Sequence, residues 1–150
     1  MSGFARLENA RQVAFKRAWP GLSPAARADG VVRGHTYPFC LPAACAAENL
    51  FEEGRTAVLA YFECDRIKWH MGQNRRPSNH LRSSQVCCVN FLESFATRPE
   101  ALAALLYPLY GKITLLPMED GRFVAYEWIG ADNYLREVMP RNGARQRGAL

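Results

Sequence analysis

Arginine, serine, histidine and glutamine side chains are concentrated in one stretch of the chain, directly before an apolar run that begins near Val86. If this run is a helix, its first turn presents unpaired backbone N–H groups and the positive end of the helix dipole, and both attract anions. Side chains of these types are also common contacts to phosphate groups. We therefore predict nucleic-acid binding by the polar side chains of this stretch, which are Arg75, Arg76, His80, Arg82, Ser83 and Ser84. The alternative is that the serines only cap the helix and that Gln85 anchors the preceding loop.

Two side chains are candidates for a catalytic role. Gln85 lies inside the polar stretch, and Glu127 lies between Tyr126 and Trp128 in an apolar segment. A carboxylate that points inward from such a segment needs a cation, a metal ion or a raised pKa, whereas one that points outward is ordinary surface. The sequence leaves both orientations of Glu127 open.

The cysteine and histidine spacing does not indicate a metal site or a nucleophile. Cys64, His70, His80 and Cys87 match none of the usual paired ligand patterns, so no metal ligand is predicted. No Gly-x-Ser-x-Gly motif or cysteine-protease context is present. The five cysteines are an odd number with two adjacent, which argues against a disulfide framework and favours reduced thiols.

Composition and charge limit the class of protein. The chain has 150 residues, 49% of them hydrophobic, and a net charge of +5, which fits one globular domain that could bind a polyanion. Besides the polar stretch, a second basic group is formed by Arg141, Arg145 and Arg147. These charges could instead be solvated loop residues. No apolar run reaches the length of a membrane span and no secretory signal is visible, so a cytoplasmic location is expected.

Hydrophobic periodicity predicts four helices. Their ranges are 4–17, 43–64, 83–96 and 99–110. Prolines and glycines predict a long irregular connection over 19–42, whose end at 37–42 should be extended and held against the core. The apolar part of the helix over 83–96 is expected to be central and buried.

Beyond Gly111 the pattern changes to that of strands. Segments 113–116 and 122–129 have strand composition, and Glu119-Asp120-Gly121 between them predicts a hairpin turn. Helices followed by the first two antiparallel strands indicate an α+β fold.

Several segments together resemble a bacterial family of restriction-endonuclease-like proteins that is grouped with the PD-(D/E)XK nuclease superfamily. The resemblance covers about residue 35 to the end of the chain, and Ser83-Ser84-Gln85 is its most specific part. The segments that carry it are Tyr37–Pro42, Ala47–Leu50, Ile67–His70, Pro77–Leu92 and Glu127–Gly130. It implies the front part of an α/β restriction-endonuclease-like fold, with DNA as the substrate.

The resemblance also implies Mg²⁺ and a catalytic motif. In the family, an Arg-Gly-Ala step leads into catalytic strands whose Asp and Glu-x-Lys hold the metal and activate water. This chain has Arg147-Gly148-Ala149 but no Glu-x-Lys. We therefore expect an N-terminal arm over 1–34 and, over 35–150, the N-terminal portion of a nuclease-like domain without its catalytic strands, inactive alone. The alternative is a non-enzymatic protein, either a nucleic-acid-binding protein or an inhibitor or accessory subunit, whose oligomeric state is open.

Overall fold

The computed structural model describes residues 3–70 and 75–127. Helices dominate these residues, and one small antiparallel sheet accompanies them, so the predicted α+β class is confirmed. The α-helices are α1 (Gly3–Ala18), α2 (Glu52–Cys64), α3 (Ser84–Leu92) and α4 (Pro99–Tyr110). The strands are β1 (Gly30–Val32) and β2 (His35–Tyr37), and short 3₁₀ helices occupy Ala25–Arg27, Ala43–Asn49 and Glu93–Phe95.

The chain forms two compact units, which are described separately. The N-terminal unit extends to Phe91, and the C-terminal unit begins at Leu92. The predicted division into an arm over 1–34 and a nuclease-like domain over 35–150 stays a prediction.

A fully buried extended segment lies at the centre of the N-terminal unit. Cys40 and Leu41 have no exposed surface. The segment forms a bridge with a second one in which Cys40 lies opposite His80, and the Leu41 N–H donates to the Asn79 carbonyl over 2.8 Å. This confirms that residues 37–42 end in an extended segment held against the core. We call the paired segments 39–41 and 78–81 the hub.

Helix α1 is attached to the hub by a buried lysine. Lys16 is 1% exposed, and its Nζ donates to the carbonyls of Ala28 and Cys40 and to the Asp29 carboxylate, at 3.1, 3.1 and 3.2 Å. An ammonium group has three protons, so these three acceptors satisfy it and permit its burial.

The prediction of an irregular connection over 19–42 was wrong at the sheet. Val32 pairs with His35, and the two residues between them, Arg33 and Gly34, have φ values of 50° and 80°. Two positive φ values are the signature of the type I′ turn, whose twist matches that of a two-residue hairpin. The sequence signal was weak because arginine, rather than asparagine or aspartate, takes the first turn position.

The helix predicted over 43–64 is interrupted. A 3₁₀ helix ends at Asn49, and Leu50 and Phe51 are extended, with ψ near 140°. Partners from elsewhere in the unit hold the interruption, because the Asn90 Oδ1 accepts from the Phe51 N–H at 3.0 Å. The guanidinium of Arg55 also donates to the Leu50 carbonyl. The break does not coincide with Gly54, which lies inside α2 although glycine weakens a helix.

The third predicted helix begins as expected. Ser83 caps α3, because its Oγ accepts from the Val86 N–H at 3.4 Å. The 3₁₀ helix at Glu93–Phe95 replaces the last turn of the prediction. Burial on most sides was wrong: Val86 and Val89 are buried, but Phe91 is 54% exposed.

In the C-terminal unit, α4 has the predicted bounds, but the two predicted strands are absent over 113–127. The turn between them is present, since the Met118 N–H donates to the Arg122 carbonyl at 2.7 Å around Gly121, which has φ 79°. The flanking backbone bonds elsewhere: the Phe123 N–H donates to the Ala96 carbonyl. An isolated pair of strands is unstable, and here such local contacts replace the ladder.

A partly buried ion pair joins Glu93 to Arg122 within this unit. Arg122 donates to the Glu93 carboxylate at 2.7 Å, and the Tyr126 hydroxyl donates to the same oxygen at 3.3 Å.

None of the helices in the described part of the chain combines the length and the apolar character that a membrane span requires.

Candidate functional site

The structure separates the predicted nucleic-acid-binding residues into two groups within the N-terminal unit. Arg75 and Arg76 line a cavity, whereas His80 and Arg82 lie beside a row of aromatic rings. Ser83 and Ser84 form the start of α3. The polar stretch therefore supplies two different surfaces rather than one.

The cavity has a volume of about 630 Å³ and combines cations with an aromatic wall. The rings of Phe62 and Trp69 are stacked, with centroids 3.9 Å apart and planes 14° apart, and both residues are buried. The charged residues at its edge are Arg66, Lys68, Arg75, Arg76 and the carboxylate-bearing Glu63. We call this group the basic cavity.

The cations of the basic cavity are exposed and have no carboxylate partner. Among the described residues, no ion pair or side-chain hydrogen bond is made by Arg66, Lys68, Arg75 or Arg76. Arg66 and Arg75 also have positive φ values, 54° and 58°, in a region that non-glycine residues rarely occupy. Four cations around one cavity that contains one carboxylate give it a positive potential, which would attract an anion.

An aromatic row extends from the hairpin to the hub. The ring centroids of His35 and Tyr37 are 6.4 Å apart, those of Tyr37 and Phe39 5.4 Å, and those of Phe39 and His80 5.0 Å. The guanidinium of Arg82 lies over the Phe39 ring, 5.3 Å from its centroid. We call these four rings and Arg82 the aromatic row.

The hub fixes the orientation of His80. The Arg82 N–H donates to the His80 Nδ1 at 3.1 Å, so this nitrogen is unprotonated and the neutral ring carries its proton on Nε2. Burial lowers the pKa of His80 below its ordinary value of 6.5, and the positive charge of Arg82 lowers it further. At neutral pH the ring is therefore uncharged.

The side-chain amide of Gln85 holds the backbone of Lys68 and His70 in place. Its Oε1 accepts from the His70 N–H at 2.8 Å, and its Nε2 donates to the Lys68 carbonyl at 3.0 Å. Both ends of the amide thus bind backbone, which is the anchoring alternative stated for the sequence. A catalytic role for Gln85 stays a prediction.

The side-chain amides of Asn90 and Asn49 also hold backbone in place. The Asn90 Nδ2 donates to the Asn49 carbonyl at 2.9 Å, and the Asn49 Nδ2 donates to the carbonyls of Ser78 and His80 at 2.7 and 3.1 Å. These amides fix backbone that would otherwise be buried without partners.

The described residues do not fit a Mg²⁺ site. Over 3–70 and 75–127, no three His, Cys, Asp or Glu side chains come together as candidate ligands. Glu127, the other catalytic candidate, is half-buried in the C-terminal unit and has a φ of 47°. A divalent cation in a nuclease usually needs several oxygen ligands. No catalytic step can therefore be assigned to these residues, and the second basic group, 141–147, lies outside them.

The sequence interpretation missed three of the four rings in the aromatic row. His35 and Tyr37 flank Thr36, the spacing that puts two side chains on one face of a strand, and Phe39 follows in a turn. That period was hidden because prolines and glycines indicated an irregular segment. Trp69 and Phe62 were missed because their contact joins α2 to the loop that follows it.

Comparison with known proteins places the chain in a family. No curated protein and no solved structure matches it. Residues 8–149 match the sequence model of a family described as "Restriction Endonuclease associating with ARP". The match spans both compact units and agrees with the restriction-endonuclease-like resemblance of the sequence. The chain therefore belongs to the family of restriction endonucleases associating with ARP.

Proposed function

We propose that this chain binds DNA as part of a restriction endonuclease of the PD-(D/E)XK superfamily, and that the basic cavity supplies the main contacts to the phosphate backbone. The observation that carries the proposal is a set of four exposed cations around one cavity, none of which forms an ion pair with another described residue. Family membership supports a nuclease-like role. A cytoplasmic location and a dependence of the family's chemistry on Mg²⁺ stay predictions.

Phosphate neutralisation explains why such a cavity would bind DNA. Each phosphate that a cation neutralises releases condensed counterions, which makes binding favourable and dependent on salt. Arginine can also contact phosphate through two parallel hydrogen bonds, and three of the four cations are arginines. Contacts of this kind position a protein on DNA without reading its sequence.

The experiment measures duplex DNA binding as a function of salt concentration. Arg75→Ala combined with Arg76→Ala should weaken binding and reduce the slope of log K against log salt by about 2, since two phosphate contacts are lost. The matched control is Arg6→Ala combined with Arg17→Ala, which removes the same charge from two exposed positions of α1. Equal losses in both double variants would show that net charge, and not the cavity, governs binding.

We also propose that the 150-residue chain does not cleave DNA by itself. The sequence contains no Glu-x-Lys, and the described residues bring no acidic cluster together. Incubation of supercoiled DNA with the purified chain and Mg²⁺ should leave the DNA intact. Cleavage that a chelator abolishes would contradict this proposal.

A second candidate function is association with a partner protein, and the exposed apolar surface of α4 favours it. Tyr107, Leu109 and Tyr110 are 62%, 76% and 68% exposed, and large apolar side chains clustered at a surface are typical of interaction sites. The family to which the chain belongs is described as restriction endonucleases associating with ARP. Tyr107→Ser combined with Tyr110→Ser should abolish co-purification with ARP and leave DNA binding unchanged. Unchanged co-purification would exclude α4 as the contact.

A further inference from the structure

We propose that the aromatic row is a stacking site for unpaired nucleotide bases, so that the chain binds single-stranded or locally unpaired nucleic acid in preference to a perfect duplex. This inference rests on the proposed function, because it assumes that the ligand is a nucleic acid. It adds whether the bound bases are paired or unpaired. Phosphate contacts in the basic cavity do not distinguish these two cases.

The backbone brings the rings together. His35 and Tyr37 are two residues apart on β2, so their side chains lie on the same side of the strand. The chain then turns at Pro38 and Phe39, where the Cys40 N–H donates to the Tyr37 carbonyl at 3.1 Å, and the Phe39 ring centroid lies 5.4 Å from that of Tyr37. His80 joins them from the other segment of the hub, because the bridge between Cys40 and His80 holds the two segments side by side. Each neighbouring pair of rings is within 6.4 Å between centroids, so the rings form one continuous row.

The row is accessible to a ligand. His35 and Arg82 are exposed, and Tyr37, Phe39 and His80 are partly exposed. Rings committed only to packing would be covered by other side chains, as Trp69 is, with 9% of its surface exposed. A planar base laid on the row would remove apolar ring surface from water, which is favourable for every base type.

Charge complementarity supports a nucleic acid as the occupant. Arg33 stands in the hairpin turn that precedes His35, and the Arg82 guanidinium lies over the Phe39 ring, so both segments that supply rings also carry an arginine. Residues 30–41 contain no aspartate or glutamate. Aromatic rings that alternate with cations are the combination by which proteins hold single strands.

The row is also rigid enough to be pre-organised. The hairpin has a two-residue turn, and Gly30 donates its N–H to the Cys40 carbonyl at 3.0 Å, which ties β1 to the hub. His80 is held through its Nδ1, which leaves the Nε2–H as a donor. A binding surface that is ordered before the ligand arrives loses less entropy on binding.

The experiment is a double-mutant cycle between one ring and the bases. Affinities of the full chain are measured for a thymidine oligonucleotide and for an abasic oligonucleotide of the same length, at one salt concentration. Wild-type protein should bind the thymidine strand on the order of tenfold more tightly, because abasic sites keep the phosphates and lose the stacking. Tyr37→Ala should lose most of this preference, whereas binding to the abasic strand should change little.

Two further variants complete the design. Tyr37→Phe keeps the ring and should keep the preference, which separates stacking from a role of the hydroxyl group. Phe4→Ala removes an aromatic side chain that is 75% exposed on α1 and should have no effect on either oligonucleotide. His35→Ala, at an exposed position of β2, should weaken binding to the thymidine strand even if Tyr37→Ala unfolds the hairpin.

The outcomes separate this inference from the proposed function. Equal affinity of wild-type protein for the two oligonucleotides would overturn the stacking site and leave DNA binding by the basic cavity intact. A thymidine preference that survives both His35→Ala and a folded Tyr37→Ala would also overturn it. Absence of binding to any nucleic acid would overturn the proposed function itself.

Discussion

The hub and the basic cavity use polar residues from neighbouring stretches of sequence in opposite ways. At the hub, Asn79 and two residues that bind its backbone, Lys16 and Asn49, donate to backbone carbonyls, and little of their hydrogen-bonding capacity is left for a ligand. In the basic cavity, Arg66 and Arg75 are exposed and have no partner among the described residues. Both regions contain polar side chains, but those at the hub hold the fold together and those of the basic cavity are available to bind a ligand.

The difference shows that residue type alone does not identify a binding residue. A buried polar group is costly without a partner, so the hub must satisfy its amides and its ammonium group internally. An exposed arginine has no such requirement, because water solvates it until a ligand arrives. Variants of the hub should therefore change stability, and variants of the cavity should change binding.

Lys16→Met is expected to have the largest effect. It removes three hydrogen bonds and leaves the Ala28 carbonyl without its partner, so the free energy of unfolding should fall by about 3 kcal/mol. Urea unfolding measures this change. Arg17→Met, at the exposed neighbouring position, is the control and should stay within about 0.5 kcal/mol of the wild type. A loss of DNA affinity by the folded Lys16→Met protein would break the comparison.

Gly30→Ala, in β1 beside the hub, should cause the next largest loss of stability. A Cβ at this position would collide with the carbonyl group of Leu41, which is backbone and cannot rotate away. We expect a loss of about 2 kcal/mol in thermal or urea unfolding. Gly3→Ala is the matched control, because nothing lies within 4 Å of its Cβ. Similar stability of the two variants would mean that the close approach of β1 to the hub is wrong.

Arg66→Ala combined with Lys68→Ala should change DNA affinity and leave stability almost unchanged. Both side chains are exposed, so unfolding should change by less than about 0.5 kcal/mol. Affinity for duplex DNA should decrease on the order of tenfold at low salt, with a smaller salt dependence. Stability and affinity are measured on the same preparation. Destabilisation without a change in affinity would assign these cations to the fold.

The depressed pKa of His80 predicts a pH dependence of stability. The unfolded chain takes up a proton near pH 6.5 and the folded chain only at lower pH, so stability is full above 6.5 and falls as the pH drops toward the folded-state value. His80→Asn can keep an acceptor for the Arg82 N–H and should flatten this part of the profile. His35→Asn, on the exposed end of β2, should retain the fall. If stability depended on pH in the same way in the wild type and in His80→Asn, the fall in stability could not be assigned to His80.

Glu63→Gln should give the smallest effect, and one of opposite sign. Glu63 is the carboxylate in the lining of the basic cavity, and its removal makes the potential there more positive. DNA affinity should increase about twofold to threefold at low salt. Glu53→Gln removes the same charge from the same helix at a position outside this cavity and serves as the control. Equal gains from both would mean that only net charge matters.

Sequence reasoning succeeded where short-range chemistry decides the structure. Pro99 and Gly111 delimit α4, and the capping serine begins α3. It failed where distant partners decide. The break at Leu50 depends on Asn90, forty residues away, and Phe123 bonds to Ala96 rather than to a neighbouring strand.

The candidate site was predicted in composition but not in arrangement. Arg75, Arg76, His80 and Arg82 were chosen because they are clustered in sequence, and the structure divides them between a cavity and an aromatic row. The residues that complete each surface lie outside the polar stretch: Phe62 stacks on Trp69, and Phe39, which is remote in sequence, contacts His80. No local pattern contains those pairs.

By itself the sequence determined the helices, their caps and the concentration of positive charge, because periodicity, capping and charge are properties of neighbouring residues. The tertiary structure decided which polar side chains are consumed by backbone partners and which stay exposed. Burial and hydrogen-bond satisfaction depend on segments that meet only after folding, such as 39–41 and 78–81. For that physical reason, the composition of the polar stretch was enough to predict a binding site. Only the fold shows which of its side chains bind backbone and which stay exposed to a ligand.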